Sequence, residues 1–137
     1  MRTSKKTLIF FLLVLAVKDA LLGSFLLLNL HWILSHAGMS YSNDVKTMAS
    51  FFGVCVLIVS TLCLTATNWV VTNKPAGLSI SKFIGWWMVI ASVIVYIKIG
   101  KPEWSAIDFI TGALILIPAL LYERKTSEID NTAFRLQ

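Results

Sequence analysis

An apolar run near the start of the chain decides the fold. Residues 7–34 read TLIFFLLVLAVKDALLGSFLLLNLHWIL, and their only charged residues are the adjacent Lys18 and Asp19. A helix of this length extends roughly 40 Å, which is enough to cross the hydrocarbon and headgroup layers of a bilayer. The basic start of the chain also resembles a signal peptide, but charged and apolar residues stand where small cleavage-site residues are expected. We therefore expect a membrane-spanning helix.

The composition excludes a soluble protein. Hydrophobic residues make up 57% of the 137 positions, charged residues only 14%, and the mean hydropathy is +0.78. Soluble domains carry about 25% charged residues. The net charge of +5 comes from residues at the ends of apolar runs, so it does not indicate a basic surface in water. We expect a lipid bilayer around the protein and no nucleic-acid partner.

Three further apolar runs follow, at residues 48–71, 83–98 and 104–122. They are continuously apolar, whereas the strands of a membrane β-barrel alternate polar and apolar residues. The sequence therefore predicts an all-α integral membrane protein, a four-transmembrane-helix bundle. Its single domain covers residues 1–125, with spans at about 7–34, 48–71, 83–98 and 104–122, and a polar C-terminal tail covers residues 126–137.

Basic residues predict that both termini are cytoplasmic, because Lys and Arg concentrate in cytoplasmic loops. One side has eight of them and the other three: Arg2, Lys5, Lys6, Lys74, Lys82, Arg124, Lys125 and Arg135 against Lys46, Lys98 and Lys101. Tryptophans that anchor spans at the two interfaces agree with this orientation. Trp69, Trp86 and Trp87 fall near the inner face, and Trp32 and Trp104 near the outer face.

Lys18 and Asp19 are the main candidates for a functional site. They follow Lys6 by about 18 Å of helix, near the bilayer midplane, where a charge costs about 2.5 to 3.5 kcal/mol. Neighbouring helical residues point about 100° apart, so we expect no facing ion pair between the two. Each group is expected to find a partner on another helix, in a water-filled cavity or on another subunit. Asn29 returns to the Lys18 face, and Asp108 lies one turn inside the last span. These four residues are the candidate buried polar site.

An interfacial alternative stays open for these charges. If the first helix sits lower in the membrane, the Lys18 side chain reaches the headgroups. Asp108 can likewise be an interfacial residue that is stabilised by the positive end of its helix.

Small residues predict where helices approach each other closely. Gly23, Gly53 and Gly112 lack a side chain, so they permit close approach. Ser60 and Thr67 follow Gly53 at intervals of seven residues, which places the three near one face of the second span. We expect these five residues to lie at helix-packing interfaces.

No pattern of catalytic or metal-binding residues is visible in the sequence. Cys55 and Cys63 are eight residues apart on one helix, which suits neither a disulfide nor a CxxC redox pair. His31 and His36 lie on one segment and do not face each other across helices as axial haem ligands do. We expect no catalytic residues, no metal and no cofactor, and an enzyme is the less favoured interpretation.

The overall plan resembles the small four-helix membrane proteins of the DoxX-like group. The resemblance covers most of the chain and lies in hydropathy and loop placement: a long first span, a polar outer loop, Phe52-Gly53-Val54 in the second span and Gly100-Lys101-Pro102-Glu103 before the last. It implies a bundle that acts as a membrane subunit, in some relatives beside quinone-linked oxidoreductases. No catalytic residue is carried over from it.

Three functions remain open at this point. The favoured one is a helical bundle that acts through helix contacts as an accessory, assembly, regulatory or inhibitory subunit of a membrane complex. The second is a homo-oligomeric transporter or channel protomer with a polar path through Lys18, Asp19 and Asp108. The third is a quinone-linked redox subunit. The expected partner is a membrane protein or a second copy, and the expected location is a bacterial inner membrane.

Overall fold

The computed structural model describes residues 2–36, 42–99 and 102–135, and all regular structure in those ranges is α-helical. Four long helices and one short one follow in chain order: α1 (Arg2–Leu28), α2 (Leu30–His36), α3 (Asn43–Val71), α4 (Pro75–Ile99) and α5 (Pro102–Arg135). By length and composition, four helices within the described residues can cross a membrane, over Thr3–Leu28, Asn43–Val71, Pro75–Ile97 and Ser105–Arg124. The all-α fold with four long apolar helices is confirmed.

The first predicted span is not one continuous helix, because the helix is interrupted at Asn29. The Asn29 amide still donates to the Phe25 carbonyl at 2.8 Å, while its own carbonyl accepts from the Trp32 amide at 3.1 Å. Asparagine favours turns because its side chain competes with helical backbone bonds. The sequence predicts one span over residues 7–34, whereas α1 ends at Leu28 and α2 is a separate short helix.

The α3–α4 connection explains why the third span begins earlier than residue 83. Asn73 takes a left-handed conformation, φ 57°, and its amide donates to the Val70 carbonyl at 3.3 Å. The Lys74 amide donates to the Trp69 carbonyl at 2.8 Å. Together these are the two hydrogen bonds of a Schellman motif at the C-terminus of a helix. Pro75 is the first residue of α4. Proline suits this position because an N–H group in the first turn of a helix has no partner within the helix. The turn is therefore three residues long.

The fifth helix continues past the predicted end of the domain. It runs from Pro102 to Arg135, with Pro118 inside it, whereas the sequence predicts a polar tail from residue 126. Residues 136 and 137 lie outside the described residues.

The four long helices form a bundle in which α1 packs mainly on α3 and α4 mainly on α5. Smaller interfaces between α3 and α4 and between α1 and α5 close the ring. The core is filled by fully buried apolar side chains, among them Leu8, Leu12, Leu15, Ile115 and Ala119. Large apolar side chains also cover the outside of all four helices. Such an outer surface is typical of helices in lipid, because a soluble bundle turns polar residues outward.

Candidate functional site: a charge cluster between α1 and α5

Three charged side chains from two helices meet in the α1/α5 interface. The Lys18 ammonium, on α1, lies 3.5 Å from Asp108 Oδ1 on α5 and 3.6 Å from Oδ1 of its own neighbour, Asp19. We call Lys18, Asp19 and Asp108 the charge cluster. With all three groups ionised, it contains two carboxylates and one ammonium and carries a net charge of −1.

One expectation about this cluster is wrong. Adjacent helical residues point about 100° apart, which led us to expect no contact between Lys18 and Asp19. The lysine side chain has a flexible four-carbon stem, so its charged end can move far from its own Cα direction. Lys18 therefore reaches both carboxylates, one on its own helix and one on α5.

The charge cluster extends from the bundle interior to its outer surface. The side chain of Asp19 is 10% exposed, whereas those of Lys18 and Asp108 are 39% and 43% exposed. Asp19 shares the inward face of α1 with Leu12 and Ala16, both of which are buried. The cluster thus has one buried carboxylate and an ion pair open toward the side of the bundle.

Asn29, the fourth predicted member of the site, does not join the cluster. It lies in the break between α1 and α2 and is exposed. The helical-face argument placed Asn29 above Lys18, but eleven residues of helix also separate the two by about 16 Å. The site contains three of the four residues that the sequence suggested.

Contacts with α3 fix the position of α1, the helix that contains Lys18 and Asp19. The Ser60 hydroxyl on α3 donates to the Ala16 carbonyl on α1 at 2.7 Å, and both residues are buried. Farther along, Gly23 and Gly53 face each other: a Cβ built on Gly23 lies 2.9 Å from the Gly53 carbonyl oxygen. Close approach and a buried interhelical hydrogen bond are typical of helix packing in membranes.

Thr67, the last member of the predicted stripe on α3, is also buried, but its hydroxyl donates within its own helix, to the Cys63 carbonyl at 2.8 Å. Gly53, Ser60 and Thr67 all lie on the buried side of α3. Thr67 therefore contributes a small packing surface rather than a bond between helices.

A second glycine pair holds α4 against α5. A Cβ on Gly112 lies 2.9 Å from the Gly85 carbonyl oxygen, and one on Gly85 lies 3.0 Å from Leu116 Cβ. Sequence reasoning found Gly112 but missed Gly85. The signal was present, since Gly77, Ser81 and Gly85 follow at four-residue spacing, a run of small residues that brings helices together.

The opposite end of the bundle from α2 carries two polar ties. Lys5 Nζ donates to the Val71 carbonyl at 3.1 Å and to Asn73 Oδ1 at 2.6 Å. A cation there stabilises the negative end of α3. Lys82 on α4 forms an ion pair with Glu123 on α5. Both interactions lie at the end of the bundle that the sequence predicts to be cytoplasmic.

The predicted interface tryptophans lie on the surface where the structure describes them. Trp32 is exposed, and the centroid of its ring lies 4.1 Å from the centroid of the His36 ring. Trp86 and Trp87 are exposed about one turn beyond Lys82, and Trp69 is half-buried. The side chain of Trp104 lies outside the described residues.

A shallow groove of about 250 Å³ lies between α4 and α5. Ser92, Tyr96, Ser105 and Phe109 are among the residues that line it. The Ser92 hydroxyl donates within its own helix, to the Val89 carbonyl at 2.7 Å. The groove therefore presents a mainly apolar surface.

Metal-binding geometry is absent from the described part of the chain. No three His, Cys, Asp or Glu side chains gather there in a group that can hold a metal ion, and Cys55 and Cys63 are free thiols. The charge cluster is the feature on which a function can be argued.

The fold and the site define a class: an all-α bundle with four helices that can cross a membrane and with a charge cluster open at its side. Searches against protein-family models, curated proteins and solved structures find no match to the chain. The resemblance to DoxX-like proteins stays a prediction.

Proposed function

We propose that the protein is a non-enzymatic membrane subunit that works through helix contacts with another membrane protein, as an accessory, assembly, regulatory or inhibitory component. One observation carries this proposal: the Lys18–Asp108 ion pair is about two-fifths exposed on the side of a bundle whose described outer surface is mainly apolar. A contact partner at this position accounts for the exposure.

The cost of charge in hydrocarbon supports a partner. Each charged side chain near the centre of a bilayer costs about 2.5 to 3.5 kcal/mol on insertion scales. Pairing within the charge cluster offsets part of this cost, but it leaves a net charge of −1 and two side chains exposed to lipid. A protein surface that covers the cluster removes this contact with lipid.

The proposed orientation has both termini in the cytoplasm, and the proposed location is a bacterial inner membrane. Support for the orientation comes from the basic residues, which occur mainly at the end of the bundle where Lys5 caps α3 and Lys82 pairs with Glu123. The four apolar helices support a location in a membrane.

The test is purification under mild detergent, or in native lipid particles, followed by measurement of the mass and composition of the complex. We expect one foreign membrane protein in fixed proportion. Lys18→Met should weaken its binding, because it removes the cationic half of the exposed ion pair that the partner covers. A chain that purifies alone, both tagged and untagged, would contradict the proposal.

Two further variants separate binding from folding. Lys82→Met removes another lysine that pairs with an acidic residue of α5, but at the end of the bundle, so it should keep the partner. Lys18→Arg keeps the positive charge and should retain most of the binding. Equal loss of the partner in Lys18→Met and Lys82→Met would indicate general destabilisation and would count against a contact at Lys18.

A transporter or channel protomer is the second candidate, and the same cluster favours it, since Lys18, Asp19 and Asp108 lead from the surface to a buried carboxylate. The fully buried Leu8, Leu12, Leu15 and Ile115 fill the bundle core and weigh against a path through a single copy. Ion flux in liposomes from a purified homodimer would support this candidate over the first. The quinone-linked redox subunit is the third candidate, and bound quinone after purification would support it.

A further inference from the structure

The outer side of the α1/α5 interface combines apolar side chains with an exposed ion pair. Val14 and Leu21 lie one turn before and after Lys18 on the same side of α1, and both are exposed. On α5, Ile107 precedes Asp108 and is 58% exposed. We call the exposed parts of Lys18, Asp108, Val14, Leu21 and Ile107 the lateral face.

The charge balance of the lateral face identifies the chemistry of what covers it. The charge cluster has one carboxylate more than it has ammonium groups, and the Asp108 side chain is 43% exposed. A carboxylate that leaves water is stabilised by a cationic or hydrogen-bond-donating partner. The occupant therefore brings a cationic or hydrogen-bond-donating group to the depth of Asp108, and a cationic group also cancels the net charge of the cluster.

A second copy of this chain does not meet that requirement. Docking the lateral face on itself about a two-fold axis brings two clusters together, each with a net charge of −1. Lys18 of each copy can pair with a carboxylate of the other copy, but the total charge of the two clusters stays at −2. Like charge in a low-dielectric interface opposes association.

We propose, on the basis of the membrane-subunit function above, that the lateral face binds a transmembrane helix of a different protein, and that this helix carries a Lys or Arg side chain opposite Asp108. The apolar side chains around the ion pair pack against the partner helix. The cationic side chain pairs with Asp108 and completes the charge balance of the cluster. The same contact selects partners, because a helix without a cation leaves the carboxylate uncompensated.

Site-specific photo-cross-linking tests this inference without disturbing the cluster. A benzophenone amino acid is placed at position 21 or 107 of the full chain in its native membrane. The matched control is position 58. Ser60 bonds to Ala16 and Gly53 faces Gly23, so Ile58 lies at nearly the same depth as Lys18, and its exposure of 55% is close to the 59% of Leu21.

The expected products come from positions 21 and 107, with position 58 giving less than about one tenth of their yield. Mass spectrometry should place the cross-link in a transmembrane segment of a foreign protein, with a Lys or Arg within about one turn of it. Asp108→Lys should lower the yield about tenfold or more, and Asp108→Asn less. Changing the partner's basic residue to Asp should restore the yield with Asp108→Lys. Unchanged helicity of each variant excludes misfolding as the cause.

The outcomes separate this inference from the proposed function. Cross-links to a foreign protein from position 58 alone would overturn the lateral face as the contact surface but leave the subunit function in place. Cross-links to a second copy would overturn the foreign helix. A partner segment without Lys or Arg, or no rescue by the reversed charges, would overturn the charge match. No foreign protein from any of the three positions would overturn both proposals.

Discussion

Replacing Gly23 with alanine should destabilise the bundle, because Gly23 lies where α1 and α3 approach each other closely. A Cβ at this position lies 2.7 Å from Leu57 Cγ and 2.9 Å from the Gly53 carbonyl oxygen. Ordinary carbon–carbon contacts are at about 3.5 to 4.0 Å. The first of these atoms moves only if the Leu57 side chain changes its rotamer, and the second is backbone, so it moves only if α3 shifts.

The magnitude follows from two opposing effects. Overpacking a close interface costs about 1 to 3 kcal/mol. Alanine regains about 1 kcal/mol over glycine in a helix interior. Because the overlap at Gly23 involves backbone, its cost falls in the upper part of that range, about 2 to 3 kcal/mol. The net expectation for Gly23→Ala is therefore a loss of about 1 to 2 kcal/mol in the free energy of unfolding.

Gly53→Ala is the matched control, since it adds the same methyl group on the other side of the same crossing. Its nearest contacts are at 3.1 and 3.3 Å, so small shifts relieve them. We expect its effect to be within about 0.5 kcal/mol of zero, because the gain in helix propensity offsets a milder overlap. The comparison holds residue type and helix pair constant.

The assay is reversible unfolding of the purified protein in mixed detergent micelles, followed by helicity and by tryptophan fluorescence. Gly23→Ala should unfold at a lower denaturant fraction than the wild type, and Gly53→Ala at nearly the same fraction as the wild type. If Gly23→Ala is as stable as the wild type, or if Gly53→Ala is the less stable of the two variants, the close crossing of α1 and α3 does not limit packing at Gly23.

Two further predictions concern α3 and the orientation of the chain. Ser60→Leu should lower stability by about 1 to 3 kcal/mol through overpacking against Ala16, whereas Ser60→Ala loses only the interhelical hydrogen bond, about 0.6 kcal/mol; a Leu variant as stable as the wild type in the detergent assay would place this face toward lipid. In a background without native cysteines, a cysteine at position 44 should be labelled from outside intact cells and one at position 74 only after permeabilisation; the reverse pattern would refute cytoplasmic termini.

The number and kind of the long helices could be derived from the sequence, because continuous apolar runs of spanning length leave few alternatives in lipid. Their ends could not be derived as well. The end of α1 depends on whether Asn29 stays helical, and the start of α4 depends on the left-handed Asn73 and the Schellman bonds around it. At each position the helical and non-helical backbone conformations differ by a small free energy, and hydropathy does not measure that difference.

Sequence reasoning identified Lys18, Asp19 and Asp108 as unusual because charge is costly inside a membrane, and this argument needs no structure. That they meet is a tertiary result. It depends on α5 closing the ring beside α1, on Asp108 arriving at the depth of Lys18, and on the long lysine side chain reaching both carboxylates. Asn29 passed the same test of helical periodicity and lies elsewhere, because periodicity gives the face of a helix but not its neighbour.

Small residues show the same division between sequence and structure. Gly23, Gly53, Ser60 and Gly112 could be named as packing residues from their size alone, whereas the partner of each glycine depended on the fold. The structure pairs Gly23 with Gly53 and Gly112 with Gly85, the one that sequence reasoning missed. A single sequence determines which residues permit close approach. Which helices pack together at these residues depends on the order of the helices around the bundle.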